Sequence, residues 1–184
     1  SLTGFAMDNM TRDDGWRFLI IGRRLERLSF LANAIGNFLR MPSARGPGSL
    51  EWLLELTDSI ITYRSRYSRL PELLPVIDLL VFDDSNPHGV IFQGSVLARY
   101  LDRMGRELGD HSESSLPEVL GRLRAFSLEP LEHLQFSECR TCPPCEELAD
   151  LLKELDAAAV QLSARLGMRY FTHVGDVSRQ TMAL

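Results

Sequence analysis

"DGWRFLIIGRRLERLSFLANAIGNFL", residues 14–39, is the stretch on which the fold turns. At about 100° per residue, Trp16, Leu19, Ile20, Phe30, Leu31, Ala34 and Phe38 fall on one apolar stripe of a helix. Arg23 and Arg27 lie inside that stripe, Glu26 at its edge and Arg24 just beside it. A guanidinium buried without a partner is too costly for a marginally stable domain. The helix therefore predicts one of two surroundings: carboxylates brought up by neighbouring elements, or a wet cavity lined by arginine.

Candidate acids follow from the rest of the chain. Glu26 lies three residues from Arg23, and Glu55, Asp58 and Asp78 lie on other segments. Asp78 sits inside "VIDLLVF" (76–82), where an unpaired carboxylate is as unwelcome as an unpaired arginine. In "TDSIITYRSRY" (57–67), Arg64 falls on the side of Ile60 and Tyr67. Polar groups on three apolar segments predict a single buried network. Such a network can simply fix helix register, or it can be an anion-binding cleft with two or three arginines around a phosphate or carboxylate. An enzyme built on it would hold an anionic substrate with Arg23, Arg27 and Arg64 and move protons with Asp58 or Tyr63.

Outward from this helix, Thr11 or Asp13 can cap its start. "MPSARGPGS" (41–49) stops it, with two prolines and two glycines. From Ser49, Trp52, Leu53, Leu56, Ile60, Tyr63 and Tyr67 recur at helical spacing and predict a second long helix. Pro71 and Pro75 break the chain. "PVIDLLVFD" (75–83) is read as helix, since no partner strand appears elsewhere. Asn86 as N-cap and Pro87 at the first helical position open a helix whose inner face carries Val90, Leu97, Leu101, Met104 and Leu108. A polar loop covers 109–115, and an amphipathic segment runs from Leu116 to about Phe136. A last helix, Glu146 to about Phe171, has Leu148, Leu151, Leu152, Leu155, Ala159, Leu162 and Leu166 as its stripe. Residues 172–184 read as a polar, frayed tail. The expectation is one all-α domain over 1–184, a bundle of about six helices.

With 184 residues and 45% hydrophobic content, the chain can bury a single substantial core. The apolar run 73–82 is too short to span a bilayer and contains Pro75 and Asp78. No membrane helix and no secretory signal is read. The start at Ser-Leu-Thr suggests a piece of a longer cytoplasmic protein. A net charge of −5 argues against nucleic acid as a partner. Lys153 is the only lysine, so the positive charge is almost all arginine.

"HLQFSECRTCPPCEE" (133–147) sets Cys139, Cys142 and Cys145 at the two-residue gaps favoured by zinc and iron–sulfur sites, with His133 as a possible fourth ligand. The competing reading is three reduced thiols in a surface loop, since zinc ligands usually come as two separated pairs. The odd cysteine count also discourages a disulfide framework. No Ser-His-Asp or Cys-His spacing and no Gly-rich phosphate loop is present, and no other cofactor is expected.

Four segments in order carry a family resemblance: "MTRDDGWRFLIIGRRLERLSFLA", "LLELTDSIITYRSRY", "IDLLVFDDSNPHGVIFQ" and the late "RYF". Together they resemble the alpha-E family, a bacterial all-helical domain named for a Glu-Arg motif, which maps here onto Glu26 and Arg27. The family's "DSxxTYRxRY" element maps onto Asp58, Tyr63 and Arg64. Its "DLLxxDxxNPxS" element maps onto Asp78, Asp83, Asn86 and Pro87. This chain departs there, with His88 and Gly89 where Arg and Ser are usual. The resemblance implies that an earlier helical half, with its own Glu-Arg motif, precedes this one. It also implies association with circularly permuted ATP-grasp and transglutaminase-like proteins, hence an accessory role in a peptide-modifying, amide-bond-forming system.

Overall fold

The computed structural model describes residues 14–41, 47–108, 114–132 and 142–181. Among them are eight α-helices, one π-helical turn and no strand: α1 (Asp14–Arg40), α2 (Pro47–Leu56), α3 (Ile60–Tyr67), α4 (Leu73–Ile77), the π-turn (Asp78–Phe82), α5 (Val90–Leu108), α6 (Leu116–Arg124), α7 (Glu129–Glu132) and α8 (Pro143–Thr181). The all-α bundle is as expected. Its helices are more numerous because two expected segments are each broken in two.

The first break divides the expected second helix at Thr57–Ser59. Thr57 turns its hydroxyl back onto the Leu53 carbonyl at 2.9 Å, the competition with the helix ladder that makes such residues poor helix formers. Asp58 then takes a left-handed φ of 56°. Ser59 N–H donates to the Leu54 carbonyl at 2.7 Å and Asp58 N–H to the Glu55 carbonyl at 3.1 Å. These are the two bonds of a Schellman cap, with aspartate where glycine is usual. The second break separates α6 from α7 after Arg124.

Two other boundaries move. The helix expected from Pro87 begins at Val90. Asn86 instead accepts from His88 N–H at 3.1 Å through its side chain and from Gly89 N–H at 2.9 Å through its carbonyl, so the segment is a turn before the helix. A side chain on Gly89 would sit 3.2–3.4 Å from three carbonyl oxygens, those of Asn86, Asp83 and Leu79. At the other end, α8 continues to Thr181, past the end of its apolar stripe. The proposed caps Thr11 and Asp13 lie outside the described residues.

The longest packing surface is α1 on α8, with α5 against α1 and α6 against α8. Ile21, Leu25, Leu28, Ala32, Ile35 and Leu39 of α1 are buried, as are Leu148, Leu152, Leu155, Ala159 and Leu162 of α8. The expected stripe of α1 holds in part: its Leu31 and Phe38 are buried, Phe30 is 41% exposed, and the core face also runs through 21, 25, 28, 32, 35 and 39. The arginine-bearing face is a second, partly wet face. Polar clasps fix the α1–α8 register: Asp156 accepts from Ser29 and Asn33, and Asp150 from Arg40. Gly94 of α5 lets α6 approach, because a Cβ there would lie 2.5 Å from Leu120 Cδ2.

Candidate functional site: an arginine-lined groove

Since α1 commits one face to α8, its other apolar face is left to form a groove with α5. Ile20, Arg23, Arg24, Glu26, Arg27 and Phe30 of α1 and Gln93 of α5 line an open groove of about 670 Å³. The three arginines lie within one heptad, so helical geometry brings all of them to this side. Both surroundings the sequence allowed are present: an open groove lined by arginines, and a carboxylate, Asp58, brought up to Arg27 by the end of α2.

Arg24 is held most closely. Its Nη1 donates to Gln93 Oε1 at 3.1 Å, and Gln93 Nε2 is anchored on the Pro87 carbonyl at 2.5 Å. The guanidinium carbon lies 5.7 Å from the centre of the Tyr100 ring, a cation–π contact. With both ends of the Gln93 amide used, Arg24 is fixed at the groove floor. Its Nε is buried and has no hydrogen-bond partner. An unsatisfied buried donor costs about 1–3 kcal/mol, so this N–H is the group in the groove that most lacks an acceptor.

Arg27 faces the end of α2. Its Nη2 donates to the Thr57 carbonyl at 3.3 Å and to Asp58 Oδ2 at 3.3 Å, and lies 3.2 Å from His88 Nδ1. Because arginine is donor-only, His88 must accept there, which puts its ring proton on Nε2. Phe30 packs 5.8 Å from the Arg27 guanidinium carbon. The partner carboxylate is not buried: the Asp58 side chain is 67% exposed and that of Arg27 30%. Arg27 thus closes a helix C-terminus, where the free carbonyl and the dipole both favour a cation.

The remaining predicted residues do not join this groove, and the single network divides. Arg64 pairs with Glu51 at 3.5 Å and is exposed. Tyr63 is buried; its hydroxyl donates to the Leu70 carbonyl at 3.5 Å and accepts from Glu72 N–H at 3.2 Å. Asn86 is buried and donates to the Leu79 carbonyl at 3.0 Å and to Ser59 Oγ at 3.5 Å. Tyr63 and Asn86 pin turns together. Asp78 belongs to a second polar group with Asp83, Arg66 and Tyr67. Burial, then the Asp83 charge, raises the Asp78 carboxyl above its ordinary value despite Arg66. Burial pushes Asp83 up as well, but bonds from the Ser85 hydroxyl and N–H, and Arg66, outweigh it and hold it low. Burial, then Asp78, raises Tyr67.

Gln93, Tyr100 and His88 were not singled out as site residues from the sequence. Gln93 has a local signal, a polar residue in the apolar run "VIFQ". His88, where the chain departs from the family pattern, meets Arg27. Of the cysteine cluster, His133 and Cys139 lie outside the described residues. Cys142 and Cys145 are buried and bonded to each other, which corrects the reading of all three cysteines as reduced surface thiols. They sit at the start of α8, where Cys145 N–H donates to Cys142 Sγ at 3.3 Å and Glu146 N–H to the Cys142 carbonyl at 2.9 Å. No group of three or more metal-ligating side chains occurs among the described residues, and none of their helices is long and apolar enough to cross a membrane.

The chain is similar to uncharacterized proteins of Mycobacterium bovis and of two Mycobacterium tuberculosis strains, each 31% identical over 162 residues. That alignment covers 86% of this chain but only 18% of each relative's length. No solved structure matches the chain. The profile of the Alpha-E family, described as a predicted alpha-helical domain with a conserved ER motif, matches residues 1–171. Glu26 and Arg27, on the wall of the groove, are the Glu-Arg pair within that span. The chain belongs to the Alpha-E family.

Proposed function

We propose that this domain is a helical accessory module that binds an anionic group in the α1–α5 groove and leaves bond-making chemistry to a partner. The observation that carries the reading is the convergence of Arg23, Arg24 and Arg27 on one open groove, with the Arg24 Nε lacking an acceptor. A set of arginines fixed by Gln93, Tyr100 and the end of α2 is preorganised for planar recognition of a carboxylate or phosphate. The enzymatic alternative is less favoured, because Tyr63 is spent on the 70–72 turn and Arg64 on Glu51.

On this reading the module acts in the cytoplasm beside an ATP-grasp-type protein, in a peptide-modifying system that forms amide bonds, the association the family resemblance implies. A preceding Alpha-E half would be a further partner. That the chain corresponds to 18% of its relatives' length supports a role as one part of a larger apparatus. Unfolding midpoints measured at constant ionic strength test the site. Acetate or phosphate should raise the midpoint of the parent, by ligand linkage, and leave that of Arg24→Gln unmoved. A parent indifferent to every anion contradicts the reading.

A further inference from the structure

We propose that His88 is a proton-operated latch on the groove. Neutral, it holds Arg27; protonated, it lets go of Arg27 and adds a positive charge behind the groove wall, so that anions bind more tightly as pH falls. This rests on the groove being an anion site, and it names how that site is regulated.

Two adjacent residues of the turn before α5 clasp two arginines of the groove wall. The Pro87 carbonyl holds Gln93 Nε2 at 2.5 Å, and Gln93 Oε1 accepts from Arg24 at 3.1 Å. Next in the chain, His88 Nδ1 lies 3.2 Å from Arg27 Nη2. The first clasp runs through an amide and cannot titrate. The second runs through an imidazole and can.

Arginine offers only donors, so the second clasp exists only while Nδ1 is an unprotonated acceptor. A proton on Nδ1 sets N–H against N–H and cation against cation, and the contact is lost. Arg27 Nη2 is shared among three acceptors, His88, the Thr57 carbonyl and Asp58, at 3.2–3.3 Å. Loss of the imidazole leaves the guanidinium attached only at the end of α2, and able to swing toward the groove it already lines.

Histidine is the side chain whose charge ordinarily changes between about pH 5 and 8, and His88 is only half-buried. Arg27, from α1, opposes its proton. Asp58, at the end of α2 and bonded to the same Nη2, favours it. Arg24 of α1 stands beyond the neutral Gln93 of α5. In the turn itself Asp83 is committed to Arg66 and Ser85, and Asp84 is exposed.

Sulfate is the probe, because its charge is constant over this range. Calorimetric titration of the 184-residue chain at constant ionic strength should give a dissociation constant about fivefold lower at about pH 5.5 than at about pH 8. His88→Gln, whose side-chain oxygen can still accept from Arg27 but does not titrate, should match the parent at the higher pH and lack the gain at the lower. Linkage is reciprocal, so saturating sulfate should move the His88 titration midpoint upward in the parent, read from its imidazole NMR signals without any variant. In the free protein at the higher pH, the same nitrogen signals should show the ring proton on Nε2. A proton on Nδ1 there overturns the latch. An equal gain in His88→Gln, or a His88 midpoint indifferent to bound sulfate, also overturns it and leaves the anion site standing. Sulfate binding at neither pH overturns both readings.

Discussion

Arg27 of α1 donates to the carbonyl of Thr57 and to the carboxylate of Asp58, both at 3.3 Å, so an arginine from one helix closes the C-terminus of another. Asp58 reaches it from a left-handed backbone, φ 56°. That conformation costs a non-glycine residue about 1–2 kcal/mol. An exposed ion pair returns only about 0–1 kcal/mol. Asp58→Gly should therefore match or exceed the parent in urea unfolding. Asp58→Ala, which keeps the strain and loses the pair, should fall about 1 kcal/mol below Asp58→Gly. Equal midpoints for the two variants would show that Asp58 is not left-handed in solution.

Close approach of α5 and α6 predicts a change of sign. Gly94→Ala places a methyl 2.5 Å from Leu120 Cδ2, and overpacking of this kind costs about 1–3 kcal/mol. In a Leu120→Ala background the clash is gone. The same substitution should then stabilise by up to about 1 kcal/mol through helix propensity. A double-mutant cycle in urea reads the coupling, and additive effects would contradict the contact.

Asp78 and Asp83 predict opposite pH responses. The Asp78 carboxyl is raised by burial and by Asp83; the stability it contributes is present below its unfolded pKa and is lost as pH rises through the folded one. Asp78→Asn should thus raise the unfolding midpoint at pH 7, with the gain vanishing in acid. Asp83 is held low, on balance, by Ser85 and Arg66; its contribution is present above the unfolded pKa and is lost as pH falls through the folded value. Asp83→Asn should destabilise at pH 7 and approach the parent only in strong acid. Parallel pH–stability curves for both variants would refute the assignment.

The Cys142–Cys145 bridge spans three positions at the start of α8. So short a loop removes little chain entropy, and reduction should cost no more than about 2 kcal/mol. Alkylation of the unfolded chain without reductant should label one cysteine, and with reductant three. Three labels in both conditions would show that the bridge does not form.

How far the sequence could be read differs between elements. The α8 stripe was legible because its apolar residues occupy one face, and Leu148 to Leu162 are buried as the spacing implies. Helix α1 carries apolar residues on two faces, so periodicity detected a helix but mixed core residues, Leu31 and Phe38, with groove residues, Ile20 and Phe30. The α2–α3 break was hidden because Thr57-Asp58-Ser59 contains neither proline nor glycine, and an aspartate took the left-handed position. Arg23, Arg24 and Arg27 stood out by their misplacement among apolar residues. Gln93 is marked locally as the polar residue of an apolar run, but that it and Tyr100 meet Arg24 from α5 depends on tertiary packing that no local pattern encodes.

Arg27 lines the groove in an exposed pair; the proposed anion site makes it a ligand-facing residue rather than a structural charge, and Arg27→Ala distinguishes the two. Urea unfolding without added anion should show a loss of only about 1 kcal/mol, from the exposed pair and one carbonyl hydrogen bond. The midpoint rise that acetate or phosphate gives the parent should be reduced in the variant. A loss of about 3–5 kcal/mol, as for a broken buried pair, together with an unchanged anion response, would contradict the account.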